Sequence, residues 1–329
     1  MQSAIPRPIR TSRRSAFSLI ELMVVIVIIA ILMSLLLNGV MAARAAALNA
    51  SVVSEMKGLE KAIADFKLKY GVEPPSEIYL YETPAGWNGT SNDARRSRAI
   101  IRQIWPQFDF TMPIAPAMTP PDPDAFTTAG RDINGDKDIG DVIHLTGDEA
   151  LVFFLGGMNA TNVVDSRGLL RTTAPVPSVG DTITRWEPLG FSVNPTDPFA
   201  RGGSRVGPQQ QFDNDRLTNI HPLSTPGAGG MPEFLDALPG QTKPYLYASS
   251  YDGKGYRPAD LTWGPGLLDK VTVYTQSLNG PAFNPKSFQI ISPGIDAEYG
   301  EGGPLDGTFT GARAVEQDNI TNFKGSRLN

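Results

Sequence analysis

Between Leu22 and Ala43 the chain carries no charged residue, and no other feature restricts it so strongly. At ~1.5 Å per residue a helix over this run spans roughly 33 Å, about the thickness of a bilayer's hydrocarbon core. Arg7, Arg10, Arg13 and Arg14 precede it, with no acid before Glu21. The positive-inside rule then puts the N-terminus in the cytoplasm and the body on the far side. A plain anchor is one reading. A secretory signal is another, since Ala43-Arg44-Ala45 has the small-residue form of a cleavage site. Against it, the run exceeds the usual ~7–15 residues and Glu21 interrupts its approach. Ser12-Arg13-Arg14 has a twin-arginine look, with the aromatic displaced to Phe17.

Glu21 needs an explanation of its own. A charge entering an apolar span costs on the order of 2.5–3.5 kcal/mol, so such residues are usually paired and functional. The plain alternative is a carboxylate that snorkels to the headgroups. The stretch Ala16-Phe17-Ser18-Leu19-Ile20-Glu21-Leu22 closely resembles the class III signal of type IV pilins and type II secretion pseudopilins. The resemblance covers residues 10 to 40. It implies that a prepilin peptidase cuts between Ala16 and Phe17 and methylates the new amine, leaving Glu21 fifth in the mature chain. It implies also that Glu21 pairs with the Phe17 amine of a neighbouring subunit and sets register during assembly. Ala16 departs from the family, which nearly always has Gly there, and this bears on the rate of cleavage.

The helix is expected to continue past the apolar run. Val52, Met56, Leu59, Ile63, Phe66 and Tyr70 form one stripe at helical period, with Glu55, Lys57, Glu60, Lys61, Asp65, Lys67 and Lys69 on other faces. Gly71 and then Pro74-Pro75 mark the end. A helix from Phe17 to Tyr70 would reach roughly 80 Å. The resemblance implies the same two-part first helix.

Beyond residue 70 short apolar runs alternate with Gly/Pro loops. Gly (33) and Pro (28) make up about a fifth of the 329 residues, against a usual ~12%. Strands are expected at Ile78–Tyr81, Val142–Leu145, Tyr245–Tyr251, Val271–Thr275 and Phe288–Ser292, and helices near Ala94–Trp105 and Asp148–Leu155. The stretch 171–240 reads as long surface loops. The expected fold class is α+β: a pilin-like fold with a long N-terminal helix, membrane-spanning then amphipathic, packed on a small antiparallel sheet in a loop-rich globular head. Its parts would be a leader at 1–16, the helix at 17–70 with its transmembrane part at 22–43, and the head at 71–329.

Two acidic stretches invite a hard cation. Phe288–Asp296 and Asp318-Asn319-Ile320-Thr321-Asn322-Phe323 resemble the C-terminal region of major-pseudopilin-type proteins, where an acidic loop binds calcium. The resemblance makes Asp296, Glu298, Glu301, Asp306 and Asp318 candidate Ca²⁺ ligands, and oxygen ligands in a Gly-rich loop suit that ion. The alternative is an acidic solvated turn. A weaker candidate is Asp132, Asn134, Asp136 and Asp138. It departs from the EF-hand at Lys137, where Gly is required, and at Ile143, where Glu is required. A polar turn explains it equally.

The absence of cysteine excludes a disulfide framework and Cys-zinc sites. The sequence holds no H-E-x-x-H, G-x-S-x-G or Walker A pattern, so no enzymatic activity is expected. Residues 1–16 carry four arginines and no acid, so their removal takes the net charge from −5 to −9. That disfavours generic nucleic-acid binding. Arg95, Arg96, Arg98 and Arg102 nonetheless form a local basic helix face, whose plain reading is a solvated surface. The resemblance implies a structural subunit of a type II secretion pseudopilus or type IV pilus-like filament. Its partners would be copies of itself, other pseudopilins, the prepilin peptidase, an inner-membrane assembly platform and membrane lipid. The place implied is the bacterial inner membrane, single-pass, with a periplasmic head. A minor pilin in adhesion or DNA uptake, and an enzyme tethered by a pilin-like helix, remain the alternatives.

Overall fold

The computed structural model describes residues 19–111, 130–134, 140–164, 170–171, 182–200, 203–218, 231–257, 262–263, 269–307 and 309–328. The chain divides into two units, Met1–Leu48 and Asn49–Asn329. One helix, α1 (Leu19–Tyr70), runs unbroken through Gly39 and Gly58 and stops where Gly71 and Pro74-Pro75 predict. In the first unit its large apolar side chains from Leu19 to Met41 are between 44% and 77% exposed wherever described. It is long and apolar enough to cross a membrane.

In the second unit the expected stripe is the buried face. Val52, Met56, Leu59, Ile63 and Phe66 are all buried, and Tyr70 is half-buried. The Phe66 ring meets Phe154 edge-on at 5.9 Å, and Tyr70 meets Trp105 at 5.7 Å. Short helices follow: α2 (Pro84–Trp87), α3 (Asn92–Ile104) and α4 (Gly147–Gly156). Ser91 caps α3 by accepting from the Ala94 N–H at 3.1 Å. All ten residues of α4 are buried, as befits a short helix that is apolar on nearly every side. Its Phe153 and Phe154 join Trp105, Phe191 and Phe199 in an aromatic core.

A single small sheet is not what forms. Several small open sheets do. The strand Ile78–Tyr81 pairs antiparallel with Val142–Leu145. Phe288–Ser292 pairs antiparallel on one side with Leu246–Ser249 and on the other with Ile320–Thr321. Another three-stranded sheet centres on Asn159–Val164, flanked by Leu170–Arg171 and Thr182–Pro188. Thr272–Thr275 and Gly302–Pro304 make a parallel pair. Two-residue pairings, Phe191–Ser192 with Arg205–Val206 and Leu217–Thr218 with Glu233–Phe234, lie within 171–240. That stretch is more than surface loop, because Phe191, Phe199, Phe212, Leu217, Met231, Phe234 and Leu238 are all buried. A second cluster of Leu246, Ala248, Val271, Tyr274, Ile291, Tyr299 and Leu328 sits under the C-terminal strands.

Candidate functional site

Glu21 stands in the first turn of α1, where a negative charge complements the helix dipole. Its side chain is exposed. So are its apolar neighbours Leu19, Ile20 and Leu22, at 77%, 71% and 59%. Ala16 and Phe17 lie outside the described residues. What the first unit offers is a helical surface, apolar all round with one acid at its leading end. None of its apolar window is buried among the described residues. Such a surface is stable only in lipid or against other apolar helices.

The acid near the start of the helix's second part behaves differently. Glu55 makes a two-toothed ion pair with Arg216, whose Nη1 lies 2.9 Å from Oε2 and whose Nη2 meets Oε1. The Tyr245 hydroxyl donates to the same Oε2 at 2.7 Å. Burial pushes the Tyr245 phenol well above its ordinary range, and the Glu55 charge adds to that. Nearby in sequence, Glu60 accepts from the Asn322 amide at 3.2 Å.

The candidate calcium ligands do not gather. Asp318 Oδ2 accepts from the Ile295 N–H at 2.6 Å and the Asp296 N–H at 3.3 Å. Asp296 Oδ1 accepts from the Glu298 N–H at 2.9 Å. Burial raises the Asp296 carboxyl, the Glu298 N–H opposes this, and Asp318 adds to it. Glu298 pairs with Lys243 at 2.6 Å, and Asp306 accepts from the Leu278 N–H at 2.8 Å. Glu301 is exposed. Among the described residues no three His, Cys, Asp or Glu side chains form a group able to hold a metal ion. A calcium ion wants six to eight oxygens. The five C-terminal acids as arranged do not fit it.

Of the weaker set, Asp136 and Asp138 lie outside the described residues. Asp132 and Asn134 belong to a turn that wraps the buried Glu82. That carboxyl accepts from the N–H groups of Ile133 at 2.7 Å, Asn134 at 3.4 Å and Asp141 at 3.3 Å. Burial raises Glu82 to about 8, the Ile133 N–H pulls the other way, and Asp132 and Asp141 push further up.

Sequence patterns pass over two residues that organise the C-terminal loop, Arg313 and Glu316. They lie three apart on a short 3-10 helix, Gly311–Asp318, and pair at 2.8 Å. Their charge complementarity at that spacing is the only signal the sequence gives. Of the basic face on α3, Arg96 pairs with Glu77 at 2.7 Å. Arg98 donates to Asn88 Oδ1 at 3.4 Å and Arg102 lies over the Phe110 ring. Among the described residues Arg95, Arg98 and Arg102 have no carboxylate partner.

Residues 11–37 match the family model described as the prokaryotic N-terminal methylation motif. No curated protein and no solved structure matches the chain. The matched segment takes in Ala16, Phe17, Glu21 and the greater part of the uncharged run. The chain therefore carries, ahead of its folded body, the prepilin-type methylation motif characteristic of type IV pilins and pseudopilins.

Proposed function

We propose that this chain is a structural subunit of a type IV pilus-like filament, and specifically of a type II secretion pseudopilus that serves protein export. The observation that carries the reading is Glu21, fifth from Phe17, at the head of a helix whose large apolar side chains are exposed among the described residues. Cleavage before Phe17 by the prepilin peptidase exposes an amine close in sequence to that acid. In a filament core the amine of one subunit and the carboxylate of the next neutralise each other. A slipped register would leave both unpaired, at about 2.5–3.5 kcal/mol for a charge in an apolar setting. Glu21 thus acts as a register mark, and the helix supplies the adhesion. Before assembly the same helix is the single inner-membrane anchor, N-terminus in the cytoplasm and head in the periplasm, from which an assembly platform draws subunits.

Two measurements test this. Mass spectrometry of the membrane-purified protein is expected to find methylated Phe17 at the N-terminus, and an N-terminus at Met1 or just after the Ala43-Arg44-Ala45 site, at Ala46, would sink the reading. Glu21→Ala is expected to leave insertion intact while filaments are lost, and normal filaments would remove the register role. The export role separates from other filament roles by the cargo left behind when the gene is deleted.

A second reading, a minor pilin in DNA uptake, draws on Arg95, Arg98 and Arg102 of α3, which have no carboxylate partner among the described residues. It requires retention of the protein on duplex DNA that falls steeply with salt and weakens in Arg95→Ala/Arg98→Ala.

A further inference from the structure

The loop between Phe288–Ser292 and Ile320–Thr321 has the sequence look of a cation loop, but its backbone closes directly onto two carboxylates. Gly294 and Gly300 have φ of +72° and +70°, a conformation that suits glycine. A Cβ on Gly294 would come 2.6 Å from Asp318 Cγ, and one on Gly300 would strike Glu316 Cγ. The chain is thus drawn tight around Asp318 at one end and Glu316 at the other.

Glu316 is fully buried, and four donor contacts reach its two oxygens. Oε1 accepts from the Glu301 N–H at 3.1 Å, the Gly302 N–H at 3.0 Å and Arg313 Nε at 2.9 Å. Oε2 accepts from Arg313 Nη2 at 2.8 Å. The third guanidinium nitrogen, Nη1, donates to the Pro304 carbonyl at 2.8 Å. One planar cation therefore joins the 3-10 helix, the buried acid and the Gly302–Pro304 strand. A guanidinium presents its donors in a fixed fork that a carboxylate matches in two places. Oε1, with three donors, has no lone pair left for a metal, and Oε2 faces the guanidinium.

We propose that Arg313 is the resident structural cation of this loop, filling the place a divalent ion takes in loops that converge their carboxylates, so that the head folds independently of calcium. The proposal concerns the head and stands apart from the filament reading.

The test uses the full-length chain in detergent, unfolded by heat with a calcium chelator or with excess calcium chloride. The wild type is expected to melt at the same temperature in both. A fall with chelator that calcium reverses would overturn the proposal, because an ion that binds only the folded state must raise its melting point. Arg313→Gln is expected to lower the melting temperature by on the order of 6–12 °C, since it strands a buried carboxylate. Arg313→Lys keeps the charge without the fork and should fall between the two. Adding Glu316→Gln to Arg313→Gln should recover part of the loss, because the stranded charge is gone. Melting of Arg313→Gln at the wild-type temperature, or no recovery in the double variant, would overturn the role of Arg313. If Arg313→Gln does not accumulate, the chelator arm on the wild type and the double variant still decide.

Discussion

Ile28 and Ile63 are the same residue on the same helix, and they live in opposite conditions. Ile28 is 51% exposed and Ile63 is 1% exposed. The acids differ in the same way: Glu21 points outward at the start of the apolar part, whereas Glu55 is gripped by Arg216 and Tyr245. In residues 49–70 the apolar side chains recur at helical period, so one face is apolar and the chain supplies its cover. In residues 19–41 they occupy every face, so no single neighbour within a chain of this size satisfies them. The helix α4 sharpens the point. It too is apolar nearly all round, but its ten residues are short enough for the second unit's own core to enclose. Length and periodicity together tell whether a partner lies inside the chain or outside it.

The largest effect that can break this contrast is at Phe66. Phe66→Ala removes the ring that meets Phe154 and Tyr70 and is expected to cost about 3–5 kcal/mol in denaturant unfolding of the full chain. A variant as stable as the wild type would mean that the stripe does not anchor the helix in the second unit.

Next in size is Glu55→Gln. The pair with Arg216 is only partly shielded, with side chains 17% and 25% exposed, so its loss is expected to cost about 1–3 kcal/mol rather than the full value of a buried pair. Glu21→Ala should cost the second unit nothing by the same assay. Equal losses at the two acids would erase the distinction between them.

A smaller, pH-dependent effect is expected at Glu149. Burial raises its carboxyl well above 4.5, and Glu233 and Asp148 push it further. A raised acid favours the protonated folded state. Its contribution is fully present below about pH 4.5 and is lost as pH rises through the raised value. The wild type is therefore expected to melt higher near pH 5 than near pH 8, and Glu149→Gln to show a flatter profile. Superimposable profiles would show that Glu149 does not supply the slope.

Much of this was legible in the sequence where a period or a boundary signal exists. The stripe from Val52 to Phe66, the stop before Gly71, and the strands at 78–81, 142–145 and 288–292 all follow from runs bounded by Gly, Pro or charge. The runs at 245–251 and 271–275 shorten to Leu246–Ser249 and Thr272–Thr275, because only those residues find ladder partners. Two-residue strands are too short to carry a period, and only tertiary pairing makes them. In 171–240 the Pro and Gly content hides Phe191, Phe199, Phe212 and Phe234, which are isolated in sequence yet all buried. At the candidate site, Glu21 stood out because a charge beside an apolar run is costly wherever it folds. Glu316 did not, because its burial depends on where Arg313, Glu301 and Gly302 end up.

The comparison closes on its starting pair, where Ile28 should give the smallest effect of all and Ile63 the contrast to it. Ile63→Ala should cost about 2–5 kcal/mol, since a buried aliphatic chain is cut back inside a packed core. Ile28→Ala deletes the same atoms from a half-exposed side chain in the first unit, so the stability of the second unit should move by no more than about 0.5 kcal/mol. Its effect should appear instead in the yield of filaments, where neighbouring helices would bury that side chain. A loss of stability at Ile28 comparable to that at Ile63 would mean that the first part of α1 is covered by its own chain after all. No change in either stability or filament yield would leave lipid, rather than neighbouring subunits, as the surroundings of that position.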